Sequence, residues 1–192
     1  VGAVLGRSAT ANTSPAASAS EVLSGQRAIG QSLFRWWGLE VYRATLYGDT
    51  GFDPQRFERQ RFSLELAYLR NFSGRDIAQR SLDEIQGIAP LDPTQASGWL
   101  EAMLKAFPDV RPGDRLLGVH EPERGARFYL NGRLHSVVDD PAFSARFFGI
   151  WLSPRTSQPR LREALIAGAA LGLNLVAHGA DVFRRRADEG DL

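Results

Sequence analysis

The run from Phe107 to Ser153, FPDVRPGDRLLGVHEPERGARFYLNGRLHSVVDDPAFSARFFGIWLS, constrains the fold more than any other stretch. It predicts three short strands and then a helix packed back onto them. Asp114 to His120 reads as the first strand, closed by the breakers at Pro122 and Gly125. Ala126 to Leu130 is the second. Asn131 and Gly132 follow, and both tolerate the positive φ that a type I′ hairpin turn needs. Arg133 to Val138 returns as the third strand. Asp140 can accept from the free backbone N–H groups of a helix start, and Pro141 loses nothing at the first helical position. Phe143, Phe147, Ile150 and Trp151 recur at helical spacing, so one aromatic face is expected to lie on the sheet.

Two earlier segments supply more sheet. Leu33 to Tyr47, LFRWWGLEVYRATLY, is aromatic and β-branched, and reads as one long strand or a strand pair bent at Gly38. Phe62, Leu64, Leu66 and Tyr68 alternate with Ser63, Glu65 and Ala67, the pattern of a half-buried strand. Helices are predicted after each of three caps. Ser73-Gly74-Arg75-Asp76 resembles a capping box, with Ile77, Ala78, Leu82, Ile85 and Ala89 as the buried stripe behind it. Asp92-Pro93-Thr94-Gln95 starts a second helix, whose apolar face is Trp99, Leu100, Met103, Leu104 and Phe107. Ser157-Gln158-Pro159 starts a third, with Leu161, Ala164, Leu165 and Gly168 inward. The fold class is therefore α+β, an antiparallel sheet with several helices.

A chain of 192 residues and 43% hydrophobic composition suits one domain with a sizeable core. The net charge of +1 sets up no global field toward nucleic acid or an anionic membrane, and no known nucleic-acid reader motif is present. Without cysteine there are no disulfides, thiolate catalysis or cysteine metal sites. His120, His135 and His178 are scattered without ligand spacing, so no metal is expected. His120 and Glu123 flank a turn and read as polar surface. No nucleotide-binding loop, dinucleotide fingerprint or nucleophile elbow appears, so no cofactor is expected.

Three regions are expected. Residues 1–20, rich in Ala, Ser, Thr and Gly, read as a mobile tail. The chain opens at Val1 rather than Met, and Ala17-Ser18-Ala19 has the small-x-small form of a signal-peptidase site. The expectation is therefore the remnant of an export signal and a periplasmic or otherwise exported protein; a natural low-complexity tail is the alternative. Residues 21–168 form the domain. Residues 169–192 are expected to extend it as a helix that packs on the domain or on another copy. The apolar run Ala164 to Ala177 falls short of the about 20 residues that a membrane span needs.

Few polar groups remain as candidates for a site. Arg35, Thr45, Tyr68, Arg70 and Asn71 fall on or just after the two early strands. If those strands are neighbours, the five could converge on one cleft, where a guanidinium is a receptor for a carboxylate or enolate. The competing reading has Arg70 and Asn71 capping a strand end, Tyr68 in the core and Arg35 reaching solvent.

Six stretches, FRWWGLEVYRATLY (Phe34 to Tyr47), LAYLRNFSGRD (Leu66 to Asp76), FPDVRPGD (Phe107 to Asp114), GARFYLNG (Gly125 to Gly132), FSARFFGIWL (Phe143 to Leu152) and the closing Leu161 to Gly168, resemble in that order the chalcone isomerase-like family, particularly its bacterial branch. The resemblance implies an open-faced β-sandwich, a large antiparallel sheet with helices laid over one face. In the plant enzymes of the family an arginine, a threonine, a tyrosine and an asparagine hold a chalcone during its closure to a flavanone. Other members bind fatty acids, with an arginine and a tyrosine holding the carboxylate. Carried onto this sequence, the arginine falls on Arg35 or Arg27. Trp37 stands in the threonine's place, with Thr45 nearby. Leu69 precedes Arg70-Asn71 where the tyrosine should, with Tyr68 one position early, and a one-residue offset on a strand turns a side chain to the other face. The asparagine's place falls near Arg75 or Asp76. These departures argue against flavanone synthesis and leave binding of an apolar acid. The expectation is a non-catalytic protein that binds a small amphipathic ligand such as a fatty acid. The alternatives are an intramolecular lyase or isomerase acting on an enone, and an interaction protein whose cleft is filled by Trp36, Trp37, Phe147 and Phe148.

Overall fold

The computed structural model describes residues 17–169. The expected C-terminal extension beyond Ala169 and most of the expected tail lie outside the described residues. The described chain is structured earlier than its composition suggests. Ser18 caps a short helix, α1 (Ala19–Leu23), through a capping box in which the Glu21 carboxylate accepts from the Ser18 backbone N–H at 2.6 Å. The Ala17-Ser18-Ala19 motif thus falls on a helix start, and the Ala19 N–H donates to the Gly132 carbonyl.

Six strands follow in a single antiparallel sheet of order β1-β2-β3-β4-β5-β6. β1 (Arg27–Trp36) and β2 (Leu39–Gly48) form a hairpin, so the chain takes the strand-pair option and reverses completely at Trp37-Gly38. Trp37 and Gly38 have φ of +51° and +76°, the sign pattern of a type I′ turn. β3 (Phe62–Tyr68) runs over the alternating segment, with Phe62, Leu64, Leu66 and Tyr68 buried as expected. β4 (Arg115–Glu121), β5 (Gly125–Leu130) and β6 (Arg133–Val138) make the predicted meander. Asn131 and Gly132 turn it at φ of +49° and +87°.

The helices after α1 lie over one face, so the chain builds an open-faced β-sandwich. α2 (Gly74–Ile88) starts at Ser73, whose Oγ accepts from the Asp76 N–H. The Asp76 carboxylate takes the Ser73 hydroxyl rather than a backbone N–H, so the capping box is only half formed. The buried stripe of α2 ends at Ile88 instead of Ala89. α3 (Pro93–Ala106) is capped by Asp92, which accepts from the Thr94 and Gln95 N–H groups. Its apolar face is narrower than predicted, because Leu104 is exposed. α4 (Pro141–Leu152) starts at Asp140 and Pro141 as the sequence predicts. It lies over β4 and β5 and is buried on more than the one expected face, with Phe148 and Leu152 also inside. A further helix, α5, covers residues 159–169 of the described chain and crosses β1 at close range. A Cβ on Gly30 would run into the Ala164 and Leu165 carbonyl oxygens, and one on Gly168 into the Ile29 carbonyl. Among the described residues, the opposite face of the sheet carries a small second cluster, Val22, Leu117, Val119 and Tyr129, closed by α1.

His120 overturns one expectation. It is 1% exposed and does not meet Glu123; it packs between Phe62 and Phe148. Its Nε2 lies 3.0 Å from the Glu58 carbonyl and its Nδ1 2.6 Å from Ser144 Oγ. A carbonyl only accepts, so Nε2 carries the proton and Nδ1 accepts the Ser144 hydroxyl. Burial holds the imidazole below the ordinary value of 6.5, against the opposing pull of the Glu58 carbonyl and the charges of Glu58 and Glu121. The folded protein then binds fewer protons here than the unfolded one. This contribution to stability is complete above pH 6.5 and is lost as pH falls through the lower, folded value. Melting temperatures are expected to drop between pH 7.5 and pH 5.5, and His120→Gln to flatten that drop. Equal slopes for the two proteins would remove His120 from the account.

Candidate functional site

Between the sheet and the helices lies a cavity of about 450 Å³, large enough for a small organic ligand. Its floor is the helix-facing side of β1 to β4: Phe34, Tyr42, Leu66, Tyr68 and Leu116. Phe147, Ile150 and Trp151 of α4, Ile77 and Ser81 of α2, and Leu161 of α5 close it above. The pairing register puts these floor residues together. Phe34 is opposite Tyr42, Tyr42 opposite Tyr68, and Leu66 opposite Leu116, and directly opposed residues share a face.

Two phenols supply polarity inside this apolar chamber. The Tyr42 hydroxyl accepts from the Trp151 indole N–H at 3.0 Å. The Tyr68 ring meets Tyr42 edge-on, with centroids 6.0 Å apart. No side chain among the described residues hydrogen-bonds to the Tyr68 hydroxyl. Burial pushes both phenols far above their usual range, and for Tyr68 the neighbouring Tyr42 adds to the shift. Both therefore stay protonated at neutral pH, and Tyr68, which lines the cavity, carries an O–H donor without a side-chain partner among the described residues.

The mouth is polar. Arg80 and Glu84 of α2 form an ion pair at 2.6 Å, and Ser157 Oγ donates to the other Glu84 oxygen at 2.6 Å. The Arg80 guanidinium lies 5.6 Å from the centroid of the Trp36 ring, a cation–π arrangement. Asp76 and Gln158 complete the rim.

Of the five candidates read from the sequence, only Tyr68 enters the cavity. Arg35 is at the hairpin tip, more than half exposed, and bound to Glu40 at 2.7 Å. The β-bulge here leaves the extra residue, Val41, on β2, so β1 keeps its alternation: Phe34 and Trp36 line the cavity and Arg35 turns away. Thr45 is opposite Glu65 on the other face of the sheet and accepts from Gln31. Arg70 is exposed and donates to the Glu40 carbonyl, and Asn71 is exposed. The convergence of Arg35, Thr45, Arg70 and Asn71 with Tyr68 is therefore not what the chain builds. Arg35 and Arg70 follow the competing reading, at the surface and at a strand end. Of the other positions reached through the resemblance, Arg27 opens β1 at its far end, Trp37 is at the tip, and Asp76 alone reaches the rim. Sequence reasoning missed Arg80, Ser81 and Glu84. The available signal was Ser81, a polar residue set in the apolar stripe of α2.

Residues 30–167 match the family model described as chalcone isomerase-like. The chain belongs to the chalcone isomerase-like family. An uncharacterized protein of Haemophilus influenzae is 31% identical over 138 residues, 72% of this chain; the match spans 66% of that relative, just under two thirds of its length. Among solved structures, a fatty-acid binding protein of Arabidopsis thaliana superposes with a TM-score of 0.59 at 11% identity, covering 78% of this chain and 91% of that one. At that identity the likeness shows the chalcone isomerase-like fold alone. Family and fold agree with the ordered stretches from which they were expected.

Proposed function

We propose that this protein binds a small amphipathic ligand, such as a fatty acid, in the cavity between sheet and helices, without chemical turnover. One observation carries the reading: an apolar chamber of about 450 Å³ holds a protonated tyrosine, Tyr68, whose hydroxyl has no side-chain partner among the described residues. Apolar walls bury a chain or ring system at about 0.8 kcal/mol per methylene, and a buried donor favours a ligand that brings an acceptor oxygen. Arg80 at the mouth is the guanidinium nearest to such a ligand's polar end, in the role first expected of Arg35. The fatty-acid binding neighbour is in keeping with this reading, and so is the open void, which a self-filled cleft would lack. The groups that hold a chalcone in the plant enzymes do not assemble here, since Thr45 faces away and Arg35 is tied to Glu40.

Native mass spectrometry of the protein with long-chain fatty acids tests the proposal. Tyr68→Phe is expected to weaken retention about tenfold or more, the effect of removing a hydrogen bond to a charged or strongly polar group. Thermal stability should be unchanged, because no side-chain hydrogen bond within the protein is lost. Equal retention by Tyr68→Phe, or no retention by the wild type, ends this assignment.

A further inference from the structure

Four of the large hydrophobic residues that the fold leaves exposed cluster at one place: Trp37 at 87%, Trp36 at 53%, Leu39 at 51%, and Leu69 beside them. All lie at the tip of the β1–β2 hairpin or against it, since Leu69 bonds through its N–H to the Val41 carbonyl. Local structure does not account for Trp37. It occupies a left-handed position at φ +51°, where a bulky side chain is an outlier and asparagine is at home. The same chain shows the alternative, because its other tight hairpin places Asn131 at nearly the same φ. A residue that violates turn chemistry and also faces solvent points to a partner.

We propose that the Trp36–Leu39 tip docks onto an anionic lipid bilayer, which sets the mouth of the cavity against the membrane. Indole rings favour the level of the lipid headgroups, and an apolar tip ringed by arginine is suited to an anionic interface. Arg35, Arg70 and Arg80, with Arg43 further along β2, stand near this tip and the adjoining rim against three carboxylates, Glu40, Glu84 and Asp76, and Arg43 and Arg70 form no ion pair among the described residues. The local balance is positive although the whole chain is nearly neutral. Trp36 belongs to both features: it lines the cavity and carries Arg80 on its ring. A surface that wets its tip in lipid therefore meets the mouth directly. Docking goes beyond the ligand reading and is measured without ligand.

Flotation of the full chain with phosphatidylcholine vesicles containing about one third phosphatidylglycerol tests this, beside pure phosphatidylcholine vesicles. The wild type is expected to float with the anionic vesicles, with blue-shifted tryptophan emission, and to release as salt is raised. Trp37→Asn gives the turn its preferred Asn-Gly pair, so its melting temperature should hold or rise by a few degrees. Its vesicle partition should fall about tenfold or more, through loss of the buried indole area. Leu39→Ser should weaken partition in the same direction. Unchanged flotation of both variants, or none by the wild type, overturns docking. Self-association in lipid-free buffer that Trp37→Asn abolishes, without flotation, overturns it in favour of a second copy. Fatty-acid retention by Trp37→Asn, read by native mass spectrometry, reports on the cavity alone and keeps the two readings distinguishable.

Discussion

Phe147→Ala is expected to lower the free energy of unfolding by about 3–5 kcal/mol, the usual cost of emptying a buried aromatic site. Phe147 is the hub of the core. Its ring centroid lies 5.2 to 5.5 Å from those of Phe107, Phe128, Phe143, Phe148 and Trp151. Most of these pairs are edge-to-face or tilted, and aromatic pairs in such geometries add about 0.5–1.5 kcal/mol beyond area burial, not additively. The site cannot collapse to recover the loss, because one side already borders the cavity and the others are held by strands and by α3. Against a typical total of about 5–15 kcal/mol, the variant should be barely folded in mild denaturant. Urea unfolding of wild type and variant reads the difference directly. A loss below about 1.5 kcal/mol would mean that the ring cluster does not organise the core.

Ser81→Phe is expected to abolish ligand binding while leaving the fold intact. Ser81 is buried on α2 and faces the cavity, and its hydroxyl forms no side-chain hydrogen bond among the described residues. A phenyl group at this position grows into the void. Filling a void of this kind tends to stabilise. If it excludes about four methylenes of an apolar ligand at about 0.8 kcal/mol each, the loss is about 3 kcal/mol, or upwards of a hundredfold in affinity. A competition assay with a fluorescent fatty acid, run beside a melting curve, separates blocked binding from unfolding. A stable variant that binds within threefold of wild type would show that the ligand sits elsewhere.

The sheet was legible because its signals are local. The alternation from Phe62 to Tyr68 and the Asn131-Gly132 turn each specify backbone geometry through a few neighbouring residues. Asp92 and Asp140 mark helix starts for the same reason. The first hairpin was harder to read, since Trp37 occupies a turn position that no propensity assigns to it. The site was the least legible part, because it depends on register. Thr45 and Tyr68 are both on strands of correct type, and which face each takes follows only from Thr45 pairing with Glu65 and Tyr42 with Tyr68. Which face of β1 points inward could not be read from composition; once Phe34 and Trp36 line the cavity, alternation alone turns Arg35 away from it. Arg80 and Glu84 form an i,i+4 pair of the kind found on most solvated helices, so nothing in their spacing announces a cavity mouth. His120 was hidden for a similar reason. A lone histidine near a turn looks polar until α4 brings Ser144 to its ring.

The strand order has a consequence for how the molecule assembles and how long it lasts. β1–β2 and β4 to β6 are joined by tight turns and β2–β3 by a loop that carries a 3-10 turn (Pro54–Arg59), whereas β3 and β4 are separated in sequence by the two full helices α2 and α3. Two local half-sheets should zip early, and their mutual seam, which carries the loop-closure cost of both helices, should close last. Leu66 and Tyr68 stand on one bank of that seam and Leu116 on the other. A ligand bound in the chamber as proposed would touch both banks and leave when they part. By mass action, its residence and the lifetime of the closed sheet become a single linked quantity.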